Sequence, residues 1–390
     1  MDTRGEGTPV VACNPLAIER EDVVEAAIPM PASTKAVRVF GPDGVEVPAQ
    51  LEKGGKVLFL ARVPSVGFAV YHVRPAAPGS ESSELTVTAS SLENARYRVR
   101  LDSNGDVAAL FDKKLNKELL AAPARLAIKT DKPEQWPAWN MDWADQKKPP
   151  RAYVGGPAKV RVVESGPVRA AVEVTREKEG SRFTQTIRLS AGDAGNRIEF
   201  SNLIDWKTSK ANLKAAFPLT ASNETATYNW DIGTLERGNN DEKKFEVASH
   251  QWFDLTDRGG TFGVTVLSDC KYGSDKPDDN TLGLTLLRTP GISGWGRWLQ
   301  DQATQDWGRH EILYGLAGHA GDWQRGQSDW QAWRLEQPLI AFTTENHGGA
   351  LGKEFSLLNL DSRRVRVLAL KKAEKGDDIV VRLIELDGKP

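Results

Sequence analysis

Two cysteines in 390 residues, Cys13 and Cys270, are too few for a disulfide framework, and no CxxC pair offers a metal or redox site by spacing. A free cysteine usually packs as a small hydrophobe, so Cys270 is expected as buried filler. An excess of one charge is missing too: 51 basic residues stand against 53 acidic ones, with a pI near 6.3. That balance supports neither a nucleic-acid nor a membrane-surface partner. No apolar run approaches the roughly 18–20 residues of a membrane-spanning helix. The opening "MDTRGEGTPVV" lacks the basic and apolar regions of a signal peptide. No long segment sustains a helical period; "LNKELLAA" (115–122) is expected to form one or two turns at most. HExxH, a GxSxG elbow, a P-loop and a GxGxxG after a strand are all absent.

What the chain does have is period-two alternation. In "RYRVRL" (96–101) Tyr97, Val99 and Leu101 share one face and three arginines the other; "RFTQTIRL" (182–189) places Phe183, Ile187 and Leu189 inward, and "RVRVLAL" (364–370) alternates again. Hairpin signals stand between such runs: Asn104-Gly105, Asp43-Gly44 and Gly54-Gly55. The expected fold is therefore all-β and antiparallel. A chain of this length exceeds one ordinary core. The Pro/Gly/Ser-rich "RPAAPGSESSE" (74–84) and the "ENHGGALGKE" stretch (345–354) divide it. The expected units are a small β-sandwich at 8–78, a large sandwich of two packed sheets at 84–347, and C-terminal strands at 350–390 that either join the large sandwich or begin a truncated region.

Chemistry is harder to place. Of the five histidines, His310 and His319 stand nine residues apart in "RHEILYGLAGH", and with Glu311 they form only a weak zinc-ligand pattern. The aromatics say more, with twelve Trp against six Tyr. "EQWPAWNMDW" sets Trp136, Trp139 and Trp143 beside Asn140 and Asp142, and "GWGRWLQDQATQDW" holds Trp295, Trp298 and Trp307. Loop indoles flanked by amides and carboxylates suit sugar rings, whose C–H faces stack on π-surfaces while hydroxyls bond polar neighbours.

The run "GTLERGNNDEKKFEVASHQWFDLTDRGGTFGVTVLSDCKYGSDKPDDNTLGLTLLRTP" (233–290) resembles the C-terminal half of glycoside hydrolase family 38, the α-mannosidases, with "DCKYG" its most distinctive part. "VVACNPLAIEREDVVE", "LENARYRVRLDSNGDVAALFDKKLNKELL", "WPAWNMD", "IDWKTSKANLKAAFP", "HEILYGLAGHAGDW" and "LKKAEKGDDIVVRLIELDGK" are similar to family segments in the same order. The chain departs from the family's usual "ERPTH" and "WDAWD" at Glu236–Asn240 and Trp136–Asn140. The resemblance implies a small β-sandwich followed by a supersandwich of galactose-mutarotase-like type. It also implies that the catalytic zinc and the aspartate nucleophile of a retaining reaction belong to an N-terminal α/β barrel, with which nothing here aligns. The chain is then expected as a fragment, inactive alone and without a cofactor of its own, whose partners are that barrel and mannosides. By position in the motif, Asp269, Lys271 and Tyr272 are candidates for the pocket's rim, with Trp136, Trp139, Asp142, Arg237 and His250 beside them. Two other readings stay open: a stand-alone carbohydrate-binding or structural module, and a mutarotase-like enzyme using the sandwich's own concave face, with His250 or His310 and a carboxylate as acid and base.

Overall fold

The computed structural model describes residues 1–77, 79, 83–291, 303, 305–386 and 388, and in it the alternating runs form antiparallel ladders. Along Tyr97–Leu101 the odd-numbered residues are buried while Arg98 and Arg100 are exposed. Phe183, Ile187 and Leu189 point into the core from Ser181–Ser190. Gly54 and Gly55 turn the chain between Ala49–Leu51 and Lys56–Val63 with φ of +84° and +82°, values that a side chain would resist.

The small sandwich packs a six-stranded sheet on the three strands Arg20–Ala27, Lys56–Val63 and Ala49–Leu51. Val10, Val24, Val39, Phe59 and Tyr71 lie in its core. Two strands of the larger sheet arrive from far along the chain. Ile340–Thr343 pairs with Thr8–Asn14, and Glu354–Ser356 pairs with Gly67–Ala76. The segmentation at 84–347 and 350–390 does not contain this return. Its physical reason is edge closure, since the returning strands occupy backbone groups that would otherwise lie unpaired.

The large sandwich faces a nine-stranded sheet, running from Lys159–Ser165 to Gly233–Gly238, against a six-stranded and a five-stranded sheet. One core joins all three: Phe183, Phe200 and Leu316 from the first, Leu213 and Leu284 from the second, Tyr97 and Leu110 from the third. This is the all-β, face-to-face architecture expected. "LNKELLAA" makes no helical turn. Asp112 Oδ1 accepts from Lys114 N and Leu115 N, Asn116 takes a positive φ, and the chain reverses into the short strand Lys117–Glu118.

One helix, Ser328–Glu336, has no counterpart in the sequence reading. Ala332 and Leu335 pack on Trp252, Leu267 and Ala317, on the face of the nine-stranded sheet opposite the core residues Phe253, Val266 and Leu316. Charges tie it outward. Arg334 Nε and Nη2 each donate at 2.9 Å to the Asp22 carboxylate of the small sandwich. Asp329 accepts from Arg366 of the C-terminal hairpin (Val365–Lys372 with Ile379–Glu385), whose guanidinium lies 3.7 Å over the Trp330 ring. In that hairpin the "RVRVLAL" alternation thus buries an arginine. Across the sandwich interface Gln50 Oε1 accepts from Val168 N and Arg169 N at 2.9 Å, and Leu58, Leu60, Val168 and Ala194 share a small core.

Candidate functional site

The small sandwich, one end of the nine-stranded sheet, the helix and the C-terminal hairpin meet around a cleft of about 970 Å³. Leu16 and Val66 line it from the first, Asn229, His250 and Tyr272 from the large sandwich, Trp333 and Glu336 from the helix, and Leu368 from the hairpin. The Trp230–Gly233 turn is shaped by Asn229. Its Nδ2 donates to the carbonyls of Asp231 and Gly233, and its Oδ1 accepts from Gln251 N. Asp231, at φ +52°, donates its backbone N–H to His250 Nδ1 at 2.8 Å, so that Nδ1 accepts and Nε2 carries the ring hydrogen.

A ladder of rings results. Arg237 Cζ lies 5.6 Å from the Trp230 ring centroid, Trp230 stacks on His250 at 5.2 Å, and Tyr272 meets His250 edge-on at 6.2 Å. Tyr272 is 58% exposed at the end of it. The structure therefore brings together Arg237, His250 and Tyr272. Trp230 joins them although the sequence reading passed over it; its signal was an aromatic at the end of the alternating "TATYNW" (225–230).

Asp269 and Lys271 sit in the turn just before Tyr272. Asp269 Oδ1 is buried with no hydrogen-bond partner among the described residues, and Lys271 N donates to Ser268 Oγ at 3.0 Å. Cys270 between them is exposed, which corrects the expectation of buried filler: the strand Phe262–Ser268 ends before it and the turn carries it outward. Partial desolvation, then the neighbouring Asp269, pushes its thiol up to about 11, so it is a poor nucleophile. Burial also raises the Glu336 carboxyl. Its hydrogen bond from Gln251 opposes that, and the charge of Asp269 adds to it.

Trp136, Trp139 and Asp142 are not in this cleft. Trp136 and Trp139 meet edge-on at 6.4 Å, and Trp139 is 81% exposed. Asp142 Oδ2 accepts from Glu134 N, holding the same loop. Of the second tryptophan loop, Trp295 and Trp298 lie outside the described residues, and Trp307 packs against the main core. His310 and His319 occupy one strand, nine residues apart and so on opposite faces. His310 Nε2 meets Asp306 O, while His319 is buried against Asp254. Among the described residues no three His, Cys, Asp or Glu side chains are grouped to hold a metal ion.

Residues 92–292 match the family described as glycosyl hydrolases family 38 C-terminal domain. The chain is 30% identical over 364 residues to alpha-mannosidase 2C1 of Homo sapiens, covering 88% of this chain and 33% of that protein. It is 26% identical over 312 residues to alpha-mannosidase G of Dictyostelium discoideum, covering 76% and 27%. The crystal structure of an alpha-mannosidase from Enterococcus faecalis superposes with a TM-score of 0.79 over 99% of this chain and 52% of that one; at 17% identity this is a likeness of fold. The chain spans about a third of the length of the human relative.

Proposed function

Because the chain belongs to glycosyl hydrolase family 38 through its C-terminal domain, we propose that it is the β-sandwich portion of an α-mannosidase, packing on an upstream catalytic barrel and completing the rim of that barrel's pocket. The observation that carries this reading is the open end of the ring ladder. Ile232 and Tyr272 are large apolar side chains left exposed in the wall of one cleft, and the exposed Trp230 stacks on its His250, which is how an interaction surface differs from scattered surface hydrophobics. In this role Tyr272 and Trp230 offer faces to sugar C–H groups, while His250 Nε2–H and the Lys271 ammonium donate to hydroxyls. Retaining hydrolysis of terminal α-D-mannosides is assigned to the upstream barrel, together with the zinc ion that the family resemblance implies. Among this chain's described residues no three His, Cys, Asp or Glu side chains are grouped to hold that ion.

The test is hydrolysis of an aryl α-mannoside by the 390-residue chain alone, with added zinc, and joined to its upstream region. Turnover is expected only in the joined form, with Tyr272→Ala raising KM there. Turnover by the chain alone, abolished by chelation, would overturn the reading.

A further inference from the structure

A second cleft, of about 410 Å³, opens on the outer face of the six-stranded sheet, the face turned away from the shared core. Its floor includes the small residues Ala127, Ala216 and Gly283. Ala127 faces Lys214 across one ladder, and Ala216 faces Gly283 across the next, where the Asp275 carboxylate lies over the glycine. Trp143 and Tyr153 stand at its walls.

Two polar side chains here are buried with bonding capacity left over. Lys129 is only 8% exposed, and its Nζ donates to the backbone carbonyl of Gln146. Among the described residues no carboxylate lies within ion-pair distance of it, and burial holds its pKa below the usual lysine value. The contrast with the neighbouring strand is direct. Lys214 Nζ reaches Glu246 Oε2 at 2.5 Å, Asp275 Oδ1 at 3.1 Å and Thr285 Oγ1 at 2.7 Å, so the nearby carboxylates are already engaged. Gln146, 3% exposed and lining the same cleft, keeps its Oε1 without a donor among the described residues. A buried ammonium on which Asp275 and Glu246 act only through space, with no carboxylate in contact, and a buried acceptor lacking a donor are both costly unless something else supplies the partner.

We propose that this cleft binds a pyranose carrying one anionic group. The anion neutralises Lys129, a ring hydroxyl donates to Gln146 Oε1, and the sugar's C–H face lies against an aromatic wall above the small-residue floor. A cavity of this size with few convergent polar groups suits a mono- or disaccharide. A uronic carboxylate and a sugar phosphate share this chemistry. The inference goes beyond the mannosidase reading and does not depend on it, because the cleft lies on another face of the molecule and its test needs no turnover.

The experiment is titration calorimetry of the 390-residue chain with glucuronic acid, glucose 6-phosphate, glucose and inorganic phosphate. One anionic sugar is expected to bind at least about tenfold tighter than either glucose or phosphate, a difference well resolved by this method. Which of the two prevails identifies the anion. Lys129→Met is expected to weaken that binding by about tenfold or more while lowering the thermal midpoint only modestly, through the Gln146 carbonyl it leaves without a donor. Ala216→Phe, which fills the floor, is expected to abolish it. Neither anionic sugar binding below about 10 mM overturns the proposal. Equal binding of phosphate or of glucose overturns it too, as does binding that both variants leave unchanged.

Discussion

The two outward faces of the large sandwich arise from the same strand alternation, yet they treat buried charge differently. On the helix-covered face, His319 is bonded to Asp254, Arg334 to Asp22 and Arg366 to Asp329, each joining different elements. On the outer face of the six-stranded sheet, Lys214 is neutralised, while Lys129 on the adjacent strand meets only a carbonyl. Paired charges of the first kind act as joints between sandwich, helix and hairpin. Lys129 ties the Trp143–Gln146 helix to the sheet through one carbonyl and has no carboxylate in contact among the described residues, which leaves it able to take a further partner.

The comparison can be broken most sharply at Asp22. Replacing it by alanine leaves Arg334, Arg20 and Arg197 buried around a lost carboxylate, and a loss of roughly 3–5 kcal/mol in denaturant unfolding is expected. A loss well under about 1 kcal/mol would mean that these joints are not structural.

The next effect is read in pH. Both His319 nitrogens face acceptors, Asp254 Oδ2 at 2.6 Å and Gly321 O at 3.1 Å, so both must donate and the ring is an imidazolium. Burial opposes that charge, but Asp254 and the two hydrogen bonds outweigh it and hold the pKa above the ordinary 6.5. The joint is therefore complete below about pH 6.5 and is lost as pH rises through the folded-state value. Unfolding midpoints measured from pH 6 to pH 9 are expected to fall in the native chain and to flatten at this step in His319→Gln. Identical slopes would remove His319 from the account.

Lys129 and Lys214 sharpen the same contrast on the other face. Lys214→Met strands Glu246 and Asp275, and a loss of a few kcal/mol is expected. Lys129→Met strands no carboxylate and leaves only the Gln146 carbonyl without its donor, so a smaller loss of about 1 kcal/mol is expected. Chemical denaturation of the two variants side by side decides it. The smallest effect belongs to Tyr272→Ala, expected within about 0.5 kcal/mol of the native chain because the ring is mostly exposed. A larger loss would make the ring ladder a packing device rather than a rim.

Local signals carried the strands a long way. Alternation at Tyr97–Leu101 and in 182–189 named the inward residues correctly, and Gly54-Gly55 and Asn104-Gly105 marked real reversals. The helix at Ser328–Glu336 escaped because "SDWQAWRLE" is short and its two tryptophans and arginine blur the apolar stripe. The site was legible only in part. "DCKYG" pointed to Tyr272, but stacking with His250 and Trp230 depends on the turn that Asn229 holds.

By itself, then, the sequence determined an all-β antiparallel chain, its main hairpins and its family, because period-two alternation, turn glycines and motif order are properties of neighbours along the chain. Only the tertiary structure decided that residues 340–356 complete the first sandwich and that Trp136 and Trp139 stand apart from the His250 cleft. It also decided that Lys129 is buried without a carboxylate partner among the described residues while Lys214 has two. Edge closure, ring stacking and charge neutralisation bring together residues far apart in the chain, and their partners are chosen by packing rather than by spacing.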